Sequence, residues 1–259
     1  MALPAAVLLF TVPLVLGQER GWPLWCWAAL GLAAAVAELF AAYEARLARR
    51  GGAPLISPRV LRQPGMPRAV ARIGLAMAVN GGFLFMATLH LQSGLGYGPL
   101  RAGTSFVPTA AAFGLVGLNW QRLPARWHPV TVPVGFLLAA ASLAGMGWAL
   151  RGGAGAGAGF FAATAGIGAG LALAYSPLLT RTLASVRRED AADASGVLVT
   201  TTQLGLLIGV AAFGALFLGQ AHGASPARTE SADAVWVTCL ALAATAVAAV
   251  AAGLARRRR

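Results

Sequence analysis

Two hundred and fifty-nine residues, 58% hydrophobic and 11% charged with a mean hydropathy of +0.71, do not describe the surface of a soluble domain. The net charge of +12 would raise nucleic acid in a soluble protein, but the cations lie in loops between apolar runs. No basic helix face with interleaved aromatics is present, so no nucleic-acid partner is expected, and the chain reads as an all-α polytopic membrane protein.

In chain order, residues 1–17 are apolar but at the lower limit for crossing a hydrocarbon layer of roughly 30 Å. A signal sequence is the alternative; with no Lys or Arg at its start and a second apolar run close behind, a spanning helix is the better reading. Trp22, Trp25 and Trp27 suit a membrane interface, and residues 23–43 form the second span. Residues 45–72 then carry seven arginines and no acid, broken by Gly51-Gly52 and by Pro54, Pro58, Pro64 and Pro67. Such a stretch can neither enter lipid nor build a core, and reads as a cytoplasmic loop.

Beyond it, residues 73–91 are the third span and residues 102–118 the fourth, which Pro108 should kink by removing a hydrogen bond. Residues 130–150, 160–179, 196–218 and 235–254 are the fifth to eighth spans, joined by turn formers, a glycine run and polar loops. The organisation expected is therefore two helices in residues 1–44, an arginine-rich loop in 45–72, a six-helix bundle in 73–254 and a basic tail in 255–259. Eight transmembrane helices put sixteen of the twenty arginines on the side of the 45–72 loop and leave only Arg20, Arg101, Arg151 and Arg228 on the other. That asymmetry places both termini in the cytoplasm of a cell bounded by an inner membrane. All twenty basic residues are arginine, which with abundant alanine and glycine fits a GC-rich bacterial genome.

Charge is almost absent within the spans. Glu38 is the exception, and its ionised form at mid-bilayer would cost about 2.5 to 3.5 kcal/mol. It is either a proton-coupling acid or a carboxylate reaching the cytoplasmic interface and an arginine of the adjoining loop. Thr200, Thr201, Thr202 and Gln203 in the seventh span should point at other helices or a water-filled cavity. Gly196, Gly205, Gly209 and Gly214 offer a flat stripe for helix packing. Asn80, in the middle of the third span, is a candidate pore-lining hydrogen-bonder or a helix-packing group, Tyr175 marks the sixth span, and Gln92 closes the third. His90, near the outer boundary, reads as a solvated interfacial residue. By composition the third, fourth, sixth and seventh spans are cavity-facing or packed, and the fifth and eighth peripheral. Cys26 and Cys239 read as small buried apolar residues, with neither metal nor disulfide expected. No HExxH, GxSxG or Walker motif occurs, so no catalytic residues and no cofactor are expected.

The runs LHLQSGLGYGPLRAGTSFVP (residues 89–108) and EDAADASGVLVTTTQLGLLIGVAAFG (residues 189–214), ordered after two spans and an arginine loop, resemble the fourteen-span drug:proton antiporters of the major facilitator superfamily. The likeness is to their C-terminal part, two central helices and the C-terminal six-helix bundle, which is half of a major-facilitator fold. The resemblance implies a central cavity lined by the third, fourth, sixth and seventh spans, and proton-coupled export of hydrophobic, often cationic, small molecules. It matches Gln92, Gly96, Pro99, Arg101 and Gly103 to an outer-loop motif, and Gly196, Gln203, Gly205, Gly209 and Gly214 to a seventh-span motif. Val199 and Thr202 depart from it, standing where members commonly have Asn and Arg. Residues 121–129 lack the aspartate of the superfamily's gating loop. The N-terminal six helices of the family are not in this sequence, so the expectation is a partial transporter, either N-terminally truncated or split, with the N-terminal half in the split case supplied by another chain. A non-transporting membrane interaction subunit is the alternative.

Overall fold

The structure, a computed structural model, describes residues 63–221 and 228–254 together with a few isolated positions before them. The chain divides into two compact units at Gln63 and Pro64. The first span and, apart from isolated positions, the second lie outside the described residues, as do Glu38, Cys26 and residues 255–259.

Among the described residues every regular element is helical. The order is α1 (Met66–Leu89), a π-turn (His90–Gly94), α2 (Pro99–Thr104), α3 (Val107–Asn119), α4 (Thr131–Ala149), α5 (Ala158–Ala184), α6 (Ala191–Gln220) and α7 (Arg228–Leu254), with short 3₁₀ turns between. Five helical stretches among the described residues are long and apolar enough to cross a membrane: Met66–Gly94, Ala125–Ala149, Ala158–Ala184, Arg188–Gln220 and Arg228–Gly253. They correspond to the third, fifth, sixth, seventh and eighth spans.

The fourth span is different, because it is two pieces. Pro108 has no N–H to offer Thr104, and the chain breaks into a turn at Ser105 and Phe106, so that Pro108 falls in the first turn of α3, where a missing donor is harmless. The hydroxyls of Thr104 and Ser105 donate back to the Arg101 carbonyl at 3.0 and 2.8 Å. The eighth span also starts earlier than its apolar run. Arg228, Glu230 and Asp233 occupy the first two turns of α7, and only the rest is uniformly apolar.

The helices alternate in direction, so the start of α1, the end of α3, the start of α4, the end of α5, the start of α6 and the end of α7 gather at one end of the bundle. Contacts at both ends agree with this. Arg181 on α5 donates to the His128 carbonyl ahead of α4, and at the opposite end the Tyr97 hydroxyl accepts the Ala156 N–H at 3.2 Å.

Without a hydrophobic drive inside lipid, helices associate through close packing, and small residues set how close they come. The α1/α6 pair meets at Gly74, Ala78, Gly81, Gly205 and Gly209. A Cβ on Gly205 would stand 2.6 Å from the Gly74 carbonyl, and one on Gly209 would clash with the Ala78 backbone. The α4/α5 pair meets through Gly135 and Gly170 in the same way, each facing the other's backbone. Large side chains fill the remaining space, with Phe83, Phe136, Leu143, Met146, Phe160 and Leu171 all fully buried.

This core revises one expectation. The fifth and eighth spans, peripheral by composition, each bury a face in the bundle. Phe136, Ala139, Leu143 and Met146 of α4 and Val235, Cys239, Leu242, Ala246 and Ala249 of α7 are completely inaccessible. Alanine and leucine fit a lipid-facing surface and a tightly packed one equally well, so composition could not separate the two.

Candidate functional site

The polar residues predicted from the sequence meet in part where α3, α5 and α6 approach. The Tyr175 ring on α5 lies 6.5 Å from that of Phe113 on α3, and its hydroxyl is 3.4 Å from the Thr202 hydroxyl of α6. Thr202 also donates to the Leu198 carbonyl at 2.9 Å, as a helical threonine does when no better acceptor is near. Tyr175 is half-buried, so one edge of this three-helix contact is open.

The run 200–203 spreads around α6 because successive residues step by about 100°. Thr201 faces α1, where its methyl would meet a Cβ on Gly74 at 3.6 Å. Thr202 faces Tyr175, while Thr200 and Gln203 are exposed. Asn80 is half-buried midway along α1, and no hydrogen bond joins it to Tyr175, Thr200 or Gln203. Gln92 is exposed and lies twelve residues further on, about 18 Å along the axis from Asn80, at the end of the bundle where α1 finishes. Thr202, a position that departs from the resemblance, is the residue of this run that meets Tyr175.

Of the glycine stripe, Gly205, Gly209 and Gly214 are buried against α1, the last beside the Phe85 ring. Gly196 is exposed, and a Cβ there would meet nothing within 4 Å among the described residues. It takes no part in that contact.

The outer-loop motif folds its own loop. Gly96 adopts φ +70°, which disfavours residues with a side chain, and Pro99 opens α2. The Arg101 guanidinium lies 3.7 Å from the centre of the Tyr97 ring, within the range of a cation–π contact. Gly103 is exposed with open space beside it.

His90 departs most from expectation. It is fully buried, and its Nδ1 is 2.7 Å from the Ser231 hydroxyl on α7, while its Nε2 is buried with no hydrogen-bond partner. The interfacial reading fails because α7 begins at Arg228 and brings Ser231 over the imidazole. Nothing local in the sequence signals a partner 141 residues away. Cys239 is a buried free thiol. No cluster of three or more His, Cys, Asp or Glu side chains able to hold a metal occurs among the described residues.

Long apolar helices, knitted through glycine contacts and carrying an isolated polar patch, define the class: an all-α, multi-pass membrane protein. Comparison with known proteins takes this a step further. No family model matches the chain. It is 34% identical over 248 residues to a probable actinorhodin transporter of Streptomyces coelicolor, a match covering 87% of this chain and 41% of that protein. It is 32% identical over 246 residues to the cephamycin export protein CmcT of Amycolatopsis lactamdurans, covering 88% of this chain and 48% of the other. An uncharacterized MFS-type transporter, EfpA of Mycobacterium tuberculosis, is 32% identical over 159 residues. The chain is thus homologous to bacterial MFS-type transporters, a family of membrane carriers rather than enzymes, and spans less than half the length of the first two relatives.

Proposed function

We propose that this chain is the C-terminal part of a proton-coupled exporter of hydrophobic small molecules, of the fourteen-span antiporter branch of the major facilitator superfamily. The observation that carries the reading is the extended similarity to two proteins whose names describe an actinorhodin transporter and a cephamycin export protein. The structure supports it through the exposure of α3 and α6. Val107, Leu115 and Leu118 on α3, and Val199, Leu204 and Ile208 on α6, are exposed on either side of the Tyr175–Thr202 contact. Two such flanks around a polar patch make one wall of a cavity whose opposite wall is a second helical bundle.

In this reading the chain carries eight spans, two of them before the 45–72 loop, with both termini cytoplasmic. The second bundle comes from sequence outside these 259 residues, in the same or another chain. Tyr175, Thr202, Thr200, Gln203 and Asn80 face the substrate path, and Gln92 stands at its outer mouth. Glu38, in the second span, is the candidate carboxylate for proton coupling.

The test is export of a fluorescent hydrophobic cation from cells producing the chain together with its N-terminal bundle. Tyr175→Ala and Gln203→Ala should each lower the export rate at unchanged protein level, and collapse of the proton gradient should abolish it. Export indifferent to both substitutions and to the gradient would refute the reading.

A further inference from the structure

Where α1 begins and α5 ends, a cleft of about 200 Å³ opens at the end of the bundle that carries Arg122, Arg126, Arg187 and Arg188. Three arginines, Arg68, Arg72 and Arg181, are among the residues that line it, and no Asp or Glu is among the described ones. Among the described residues the ion pair nearest in sequence is Arg187 with Glu189, both exposed and outside the cleft.

Among the described residues Arg72 is held by packing, with no acid paired to it. Its guanidinium carbon lies 5.6 Å from the centre of the fully buried Phe136 ring, and a Cβ on Gly253 would come within 2.9 Å of it. Its Nε is buried and has no hydrogen-bond partner among the described residues. Arg181 uses one nitrogen on the His128 carbonyl and lies over the Trp120 ring, leaving donors free. Thr182 and Ser185 already donate their hydroxyl protons to the Leu178 and Thr182 carbonyls, so an incoming ligand would be read by the arginines. The first turn of α1 adds to this, having neither a side-chain cap nor an acidic residue. Buried guanidinium nitrogen without a partner favours an anion with several acceptor oxygens.

We propose that this cleft binds the phosphodiester headgroup of an anionic phospholipid. A lipid is favoured over free phosphate by depth and by the rest of the lining. Arg72 lies six residues into a membrane-length helix, about 9 Å along its axis, which is headgroup depth. Met66, Ala69 and Leu178 give the cleft an apolar side suited to the glycerol and the first acyl carbons. This site is separate from the Tyr175 patch, and the inference does not rest on the proposed transport activity.

The experiment is native mass spectrometry of the delipidated full chain, titrated separately with dioleoylphosphatidylglycerol, dioleoylphosphatidylcholine and inorganic phosphate. Phosphatidylglycerol should be retained in preference to phosphatidylcholine. Arg72→Gln and the exposed Arg68→Gln should each weaken that retention about five-fold, while Arg151→Gln at the opposite end leaves it unchanged. Arg68→Gln keeps the test decisive if Arg72→Gln fails to fold. Equal retention of the two lipids, wild-type retention by the Arg68 variant, or displacement of the lipid by equimolar inorganic phosphate would each overturn the proposal.

Discussion

Helices α6 and α7 are thirty and twenty-seven residues long, both apolar enough to span a bilayer, and they are used in opposite ways. Helix α7 is wedged among α1, α4 and α6, and Val235, Thr238, Cys239, Leu242, Ala246 and Ala249 form a buried stripe at helical spacing. Helix α6 is the least buried of the five membrane-length helices. It touches α1 along Gly205, Gly209 and Gly214 and leaves Val199, Leu204, Ile208 and Leu218 exposed. Hydropathy settles which segments enter lipid. The placement of small and polar residues on each helix settles which neighbour it takes and how much of it stays open.

Four substitutions probe that contrast. The largest loss is expected on the wedged helix. Leu242→Ala should destabilise by about 3 kcal/mol, since a packed interior refills an aliphatic void only partly, measured as denaturant unfolding in mild detergent. A loss below about 1 kcal/mol would mean that α7 is loosely held. Gly209→Val comes next, at about 2 kcal/mol, because the new side chain must push α6 off the Ala78 backbone. Parent-like stability there would show that α6 is free of α1.

His90→Ala should cost about 1 to 3 kcal/mol by stranding the Ser231 hydroxyl. The double variant with Ser231→Ala should recover part of that loss, and strict additivity would argue against the contact. Smallest of all is Gly196→Ala. It lies in an exposed helical position with open space beside it, so thermal stability should rise by a few tenths to about 1 kcal/mol. A marked loss at Gly196 would place a neighbour on the face of α6 that is open here.

How much of this was written in the sequence varied with the range of the interaction. The segments from the third to the eighth span were legible because each apolar run is bounded by arginines, glycines or prolines, and Pro108 announced the break in the fourth. The start of α7 was misread because Arg228, Glu230 and Asp233 look like loop residues. A helix emerging from lipid can wear polar turns without ending. The pairing of Gly205 and Gly209 with α1 was half legible: their spacing announced a contact, but its partner needed the fold. For the candidate site, the polarity of residues 200–203 was plain, whereas the choice of Thr202 for Tyr175 depended on how α6 is rotated. His90 was illegible for the same reason, its partner being supplied by the far end of the chain.

The π-turn at His90–Gly94 has a geometric consequence for the loop that follows. There the Leu95 N–H reaches back five residues to the His90 carbonyl at 2.9 Å, so the winding holds one residue more than a regular turn would. Deleting any one of those five residues would restore even winding and swing the chain beyond it by about 100°, carrying Tyr97, and Arg101 stacked on it, away from the α4–α5 connection that the Tyr97 hydroxyl now meets. The aim of the loop from Leu95 to Arg101 is thus stored in a count of residues, which point substitution can weaken and only an insertion or deletion can redirect.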